Sequence, residues 1–206
     1  MEFSEWEPLY MQILADFGFD RSEDERSARI LSEMLRKKRG TLQDLHDIIS
    51  GRDVAVCGNA PSLAAEIESI RQEQVVIAAD GATTVLIANH RIPDVIVTDL
   101  DGIIDDIISA NKRGSFVVVH AHGDNIPAVR SVVPLLDRMI GTTQSKPLDN
   151  IYNFGGFTDG DRCVFLAKAF HGGNVTLVGF DYDDPAVSDV KQKKLRWAKR
   201  LIEGYS

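Results

Sequence analysis

The sequence predicts an α/β fold: an open, mostly parallel, Rossmann-like sheet with helices on both faces, preceded by a helical N-terminal segment. Three observations carry that expectation. Short runs rich in Val and Ile (DVAVC, QVVIAA, DVIVT, SFVVVH and NVTLVG) recur after residue 50, each apolar almost throughout, as parallel strands covered on both faces are. Helical segments separate the runs, so successive strands are joined by right-handed βα crossovers. Each run is followed at once by Gly, Asp, His or Asn, which sets five polar turns along one edge of the sheet, where such folds take their ligands.

In chain order, residues 1–50 form the helical segment. Leu9, Ile13 and Phe17, then Ile30, Leu31, Met34 and Leu35, recur at helical spacing, and no strand pattern interrupts them. Gly40 is expected to stop the second helix and Thr41 to cap the third. The segment is expected to pack on the core, or to supply a lid or a subunit contact in a homo-oligomer. Residues 51–206 form the Rossmann-like catalytic domain. Besides the five main runs, Arg138 to Ile140 and Ile151 to Phe154 are expected to add strands near an edge. A helix is expected from about Arg162 to Phe170, and a basic helix follows near the C-terminus.

Composition narrows the function classes. A chain of 206 residues, 44% hydrophobic and 26% charged, is one globular domain with room for a small appendage. The net charge of −8 repels polyanions, which disfavours nucleic acid as a partner. No apolar stretch approaches the roughly 20 residues that span a bilayer, so no membrane partner is expected. The opening MEFSEWEPLY has no leader pattern, and Cys57 and Cys163 sit in apolar runs as buried thiols do; both fit a cytoplasmic protein.

The five turns hold the candidate chemistry. Gly58, Asn59 and Ser62, in the turn GNAPS between a strand and a helix, suit phosphate oxygens through free amides, although Ser62 as a helix cap, or Pro61 as the first helical residue, explains them equally. Asp80 and Gly81 follow the second run. Asp99 and Asp101, two apart in extended chain, point both carboxylates into one space with Leu100 turned to the core. Such a pair repels unless a cation lies between, and Mg²⁺ is the hard ion that takes carboxylates and phosphates together. His120 and His122 resemble a zinc pair, but the nearby partners are oxygen-rich, so His122 and Asp124 are assigned instead to phosphate or to metal-bound water. In GGFTDGD, Thr158 or Asp159 reads as a helix cap, and Phe157 as a core side chain or a stacking platform. On the basic helix, Lys191 and Lys194 share a face that reaches toward the phosphates of a nucleotide.

Together GNAPSL, AADGA, PDVIVTDLDG, HAHGDN, GGFTDGDR, GFDYDD and KKLRWA resemble the archaeal 6-hydroxymethyl-7,8-dihydropterin pyrophosphokinase family, from about Val54 to Ala198, with TDLDG and HAHGDN the most specific parts. A wider group with motility-associated glycosyltransferase-like proteins shares the pattern, and AADGA and TDLDG are distantly similar to thiamin pyrophosphokinase. The resemblance implies Mg²⁺-dependent transfer of diphosphate from ATP to the hydroxymethyl group of a reduced pterin, releasing AMP. In that reading Asp99, Asp101 and Asp80 hold the metal, His122 and Asp124 orient the acceptor hydroxyl or a phosphate, and Gly58, Asn59, Ser62, Gly81, Lys191 and Lys194 hold the nucleotide. The alternatives are a thiamin pyrophosphokinase-like enzyme, a glycosyltransferase-like enzyme that uses the Asp pair for a nucleotide sugar, and a nucleotide-binding domain without activity.

Overall fold

Three helices precede the first strand in the computed structural model, which describes residues 1–36, 38 and 40–204. The helix α1 (Phe3–Phe17) ends at Gly18, whose φ of 69° is the left-handed cap that glycine supplies. Next, α2 (Arg21–Leu35) starts at Asp20, whose carboxylate accepts from the Ser22 amide, and α3 (Leu42–Ile49) starts at Thr41 as predicted. The second helix stops at Leu35, five residues before Gly40, because LRKKRG offers no apolar side chain after Leu35 to pay for continuing it.

Seven strands follow: β1 (Val54–Cys57), β2 (Val75–Ala79), β3 (Val95–Thr98), β4 (Phe116–Ala121), β5 (Met139–Thr143), β6 (Ile151–Tyr152) and β7 (Val175–Val178). They form one sheet in the order β6-β5-β4-β3-β2-β1-β7, and every pairing is parallel. The expected edge strands exist as β5 and β6, although β5 lies one strand inward. Strands β1 to β5 are buried throughout, whereas the edge strand β7 keeps three of its four residues partly open.

The chain walks outward from β1 to β6 and then returns to the far side of β1. Right-handed crossovers therefore require helices on one face for the outward walk and on the other for the return. Accordingly α4 (Leu63–Glu66), α5 (Ala82–Ala88), α6 (Ile104–Lys112) and α7 (Ile126–Val132) cover one face, where Ala55, Cys57, Val76, Ala78, Ile96, Val117 and Val119 point, and α2 joins them. On the other face α8 (Asp159–Ala169) and α3 pack on Val54, Val56, Val75, Ile77, Val95, Val97 and Val118. An outer layer of α1 and α9 (Asp189–Gly204) closes over α8, joining Trp6, Tyr10, Ile13, Phe165, Trp197 and Leu201. The reversal of direction beside β1 makes the turns after β1 and β7 the walls of a crevice.

Candidate active site

At the carboxyl ends of the strands lies a cavity of about 690 Å³. Its walls are the turns after β1 to β4 and β7, the loop entering α8, one face of α9 and the link between α1 and α2. Gly58, Asn59, Asp80, Gly81, Asp99, Asp101, His122, Asp124, Lys191 and Lys194 all line it. Ser62 does not. It stands exposed ahead of α4 with helical backbone angles (φ −71°, ψ −18°), too far into the turn for its hydroxyl to cap, and it bonds instead to Glu66. Because α4 is a single turn, it presents little helix dipole to the cavity, and what it offers there is the loop Gly58-Asn59-Ala60-Pro61 before it.

Asp80 directly follows β2 and is buried. The Thr98 hydroxyl, at the end of β3, donates to Asp80 Oδ2 in a short bond and accepts from the Leu100 amide at 2.7 Å. Leu100 is buried as predicted, but at φ 68° it turns the chain sharply, a left-handed conformation that costs a β-carbon-bearing residue about 1–3 kcal/mol. That turn sends Asp99 inward and leaves Asp101 exposed at the rim, still hydrogen-bonded to the Asp99 carboxyl. Gly102 follows against Asp80, where a β-carbon would collide with Asp80 Oδ1.

The third inward carboxylate is Asp159. Gly155 and Gly156, at φ 88° and 93°, bend the chain into α8, Thr158 caps that helix, and Asp159 is its first residue. One oxygen each from Asp80, Asp99 and Asp159 lie within 4.8 Å of one another. Asp159, and not Asp101, is thus the third carboxylate of this cluster, because the left-handed Leu100 breaks the extended geometry that the D-x-D spacing assumes. Burial and the neighbouring charges Asp101 and Asp99 raise Asp80 to about 6. Asp159 is raised well above the carboxylate range, by burial and then by the Asp99 charge. Burial also opposes ionisation of Asp99, but the His122 hydrogen bond and the Arg162 charge win and hold it at about 2. Asp80 Oδ1 and Asp99 Oδ1 are buried without a partner, so the three carboxylates form an oxygen site short of positive charge, and a hard divalent cation fits it.

Around the triad the other side chains are held in place. His122 Nδ1 accepts from the Asp124 amide at a long 3.4 Å, which leaves the proton on Nε2, 3.3 Å from Asp99 Oδ2. Asp124 itself is exposed at the rim. Asn125 shapes the turn as expected, donating to the carbonyls of Asp99 and His120. Arg162 donates to Asp159 at 3.1 Å and to Gln144 Oε1 at 3.3 Å. Lys191 and Lys194 reach the same space, since their charges pull down Asp101, whose carboxyl burial and Asp99 otherwise raise. Phe157 is buried against Phe17, ring centres 5.0 Å apart, so it belongs to the core although its edge meets the cavity.

Sequence reasoning passed over two contributors. Arg162 stood unnoticed inside GGFTDGDR. Asp24, hidden in the charge-dense RSEDERSAR, is buried and accepts from Tyr10 Oη at 2.7 Å, Gln144 Nε2 at 2.8 Å and the Gly123 amide at 2.9 Å. It ties the N-terminal helices to the turn that carries His122, so that segment packs on the core and also walls the cavity. Asp24→Ala should strand two buried donors and the half-buried Gly123 amide and cost about 3 kcal/mol, roughly 10 °C in Tm by thermal melting; a shift under about 2 °C would refute this anchoring role.

The chain is similar to known proteins over most of its length. The profile of the family described as 6-hydroxymethylpterin diphosphokinase MptE-like matches residues 28–186. The 6-hydroxymethyl-7,8-dihydropterin pyrophosphokinase of Methanothermobacter thermautotrophicus is 47% identical over 98% of this chain and 94% of its own length. Those of Methanocaldococcus jannaschii and Pyrococcus furiosus are 40% and 39% identical, again over 98% of this chain. Among solved structures, a MAf glycosyltransferase from Magnetospirillum magneticum AMB-1 aligns with a TM-score of 0.53 and 20% identity over 83% of this chain; the chain spans 29% of that protein, and the likeness is one of fold. With motifs, fold and full-length relatives in accord, the chain belongs to the 6-hydroxymethylpterin diphosphokinase MptE-like family.

Proposed function

We propose that this protein is a cytoplasmic Mg²⁺-dependent pyrophosphokinase that transfers the diphosphate of ATP to the hydroxymethyl group of 6-hydroxymethyl-7,8-dihydropterin. The observation that supports it most is the triad Asp80, Asp99 and Asp159 with its two unpartnered oxygens, set among lysines in a cavity large enough for a nucleotide and a flat acceptor. The names of three relatives near full length supply the acceptor. In the reaction the acceptor hydroxyl oxygen bonds to the β-phosphorus of ATP, the bond from that phosphorus to the oxygen it shares with the α-phosphorus breaks, AMP leaves, and the hydroxyl proton passes to solvent. Asp80, Asp99 and Asp159 would hold a divalent ion, which when bound would supply positive charge to offset that of the phosphates.

The chain's own groups do the rest by position and charge, which is most of what phosphoryl-type transfer needs. Gly58 lets the Gly179 carbonyl and the Phe180 ring pack close, and Gly81 lets the Asn59 amide do the same, so the two glycines shape the cavity wall on the phosphate side. Lys191 and Lys194 face the rim from α9. His122, its Nε2 proton directed at Asp99, and the rim residue Asp124 orient the acceptor side. The direct test is incubation with ATP, Mg²⁺ and a panel of acceptors: AMP together with the pterin diphosphate is the expected result. Turnover only with a nucleotide sugar, or none with any acceptor, would overturn the proposal.

Removing both Lys191 and Lys194 should raise the KM for ATP about tenfold or more, the worth of a shielded charge-assisted contact of roughly 1.5 kcal/mol or above, and should leave the pterin KM near the parent value. The control is Lys199→Ala. Lys193 is unsuitable because it bonds to Asp16 at 2.9 Å and lies over the Phe17 ring. Equal ATP kinetics in the double variant and the control would remove the lysines from the phosphate site.

A further inference from the structure

Between the sheet and α8 lies a second, much smaller space of about 10 Å³, the size that admits one water molecule. His120 and Arg162 both line it. His120 is 2% exposed and Arg162 8%, and each keeps one buried nitrogen without a partner, His120 Nε2 and Arg162 Nε.

The roles of those two nitrogens follow from their neighbours. Thr142 Oγ1 lies 3.3 Å from the Val119 carbonyl and donates its proton there. It can therefore only accept from His120 Nδ1 at 3.2 Å, so Nδ1 carries the ring proton and Nε2 is a bare acceptor. Burial, with the Arg162 charge beside it, keeps the ring neutral. Arg162 Nε carries a proton at all times and is a bare donor. An acceptor and a donor left open on the walls of a space that fits one water are complementary: the water accepts from Arg162 and donates to His120.

We propose that one buried water joins Arg162 Nε to His120 Nε2, and that His120 is thereby a positioning residue for Arg162 and, through it, for Asp159. Arg162 has its remaining nitrogens on Asp159 and Gln144, so the water completes its anchorage and fixes the height at which Asp159 meets Asp80 and Asp99. The consequence for ligand binding rests on the metal-site reading given above. His120 does not touch the cavity where the reaction occurs; among the residues lining that cavity the histidine is His122.

The test has three readouts on the intact protein. A high-resolution crystal structure should show one ordered water between the two nitrogens, and ¹⁵N NMR should find His120 neutral and protonated on Nδ1. His120→Phe fills the ring's place without an acceptor and should weaken Mg²⁺ binding, followed by titration calorimetry, about tenfold, the usual size of an outer-shell loss. His120→Gln, whose amide oxygen reaches near the Nε2 position, should restore most of that affinity. An Nε2-protonated ring, an empty space in the density, or unchanged Mg²⁺ affinity in His120→Phe would each overturn the proposal. If His120→Phe does not fold, the water and the tautomer in the parent protein decide alone. Should the parent bind no Mg²⁺ at all, the metal-site reading fails while the water and tautomer still report on His120.

Discussion

Asp80→Asn, Asp99→Asn and Asp159→Asn should each lower kcat for diphosphate transfer by about a thousandfold or more, equivalent to roughly 4 kcal/mol of lost charge stabilisation at a divalent ion. Asp101→Asn should cost far less, on the order of tenfold, since that carboxylate stands at the exposed rim and is not one of the three clustered inward. The ranking separates the structure from the D-x-D spacing, which makes Asp99 and Asp101 equal partners. At Asp80, stability should move the other way. Asp80 titrates near 6 in the folded protein, about two units above the unfolded carboxylate, so at pH 8 without metal its ionised form costs roughly 3 kcal/mol. Asn at that position removes the cost and retains an oxygen for the Thr98 hydroxyl. Asp80→Asn should therefore be inactive yet melt at or above the parent temperature when no divalent ion is present. A variant that is inactive because it melts well below the parent would refute this account, as would activity within tenfold of the parent.

Burial and the placement of elements explain which parts of the site were legible in the sequence. The strands were readable because burial on both faces demands runs of mostly apolar residues rich in Val and Ile, and β1 to β4 obey that demand. β5, MIGTT, breaks the pattern: Gly141 packs under Ile151, Leu35 and Leu31, where a β-carbon would collide, and Thr142 and Thr143 turn hydroxyls to His120 and Ser145. The carboxylates at strand ends were readable because a parallel sheet collects them along one edge. Asp159 was not, because its role depends on two left-handed glycines that aim α8 at the triad, and a cap residue looks the same in sequence wherever the helix points. Asp24 was hidden for a related reason: a buried Asp amid RSEDERSAR differs from its exposed neighbours only in having Tyr10, Gln144 and Gly123 to meet it, and two of those three partners lie far along the chain.

The effect of Mg²⁺ on melting should depend steeply on pH. Asp80 titrates near 6 and Asp161, buried and accepting from the Phe157 and Thr158 amides, near 7; Asp159 is raised as well. Burial is the leading cause in each case. For such groups the folded state binds more protons than the unfolded one between about pH 4 and 7, so without metal, stability falls as pH rises through that window. A divalent ion bound by Asp80, Asp99 and Asp159 competes with those protons and binds the ionised form. At pH 8, Mg²⁺ at a hundred times its Kd should add about 2.7 kcal/mol, or roughly 5–10 °C in Tm, and at pH 5 it should add almost nothing. Asp161→Asn distinguishes the two contributions, because that carboxylate is outside the triad: it should flatten the metal-free pH slope and leave the Mg²⁺ shift at pH 8 unchanged, whereas Asp80→Asn should reduce both. An Mg²⁺ shift of equal size at pH 5 and pH 8 would show that the ion binds groups that do not titrate in this window, and would remove it from the triad.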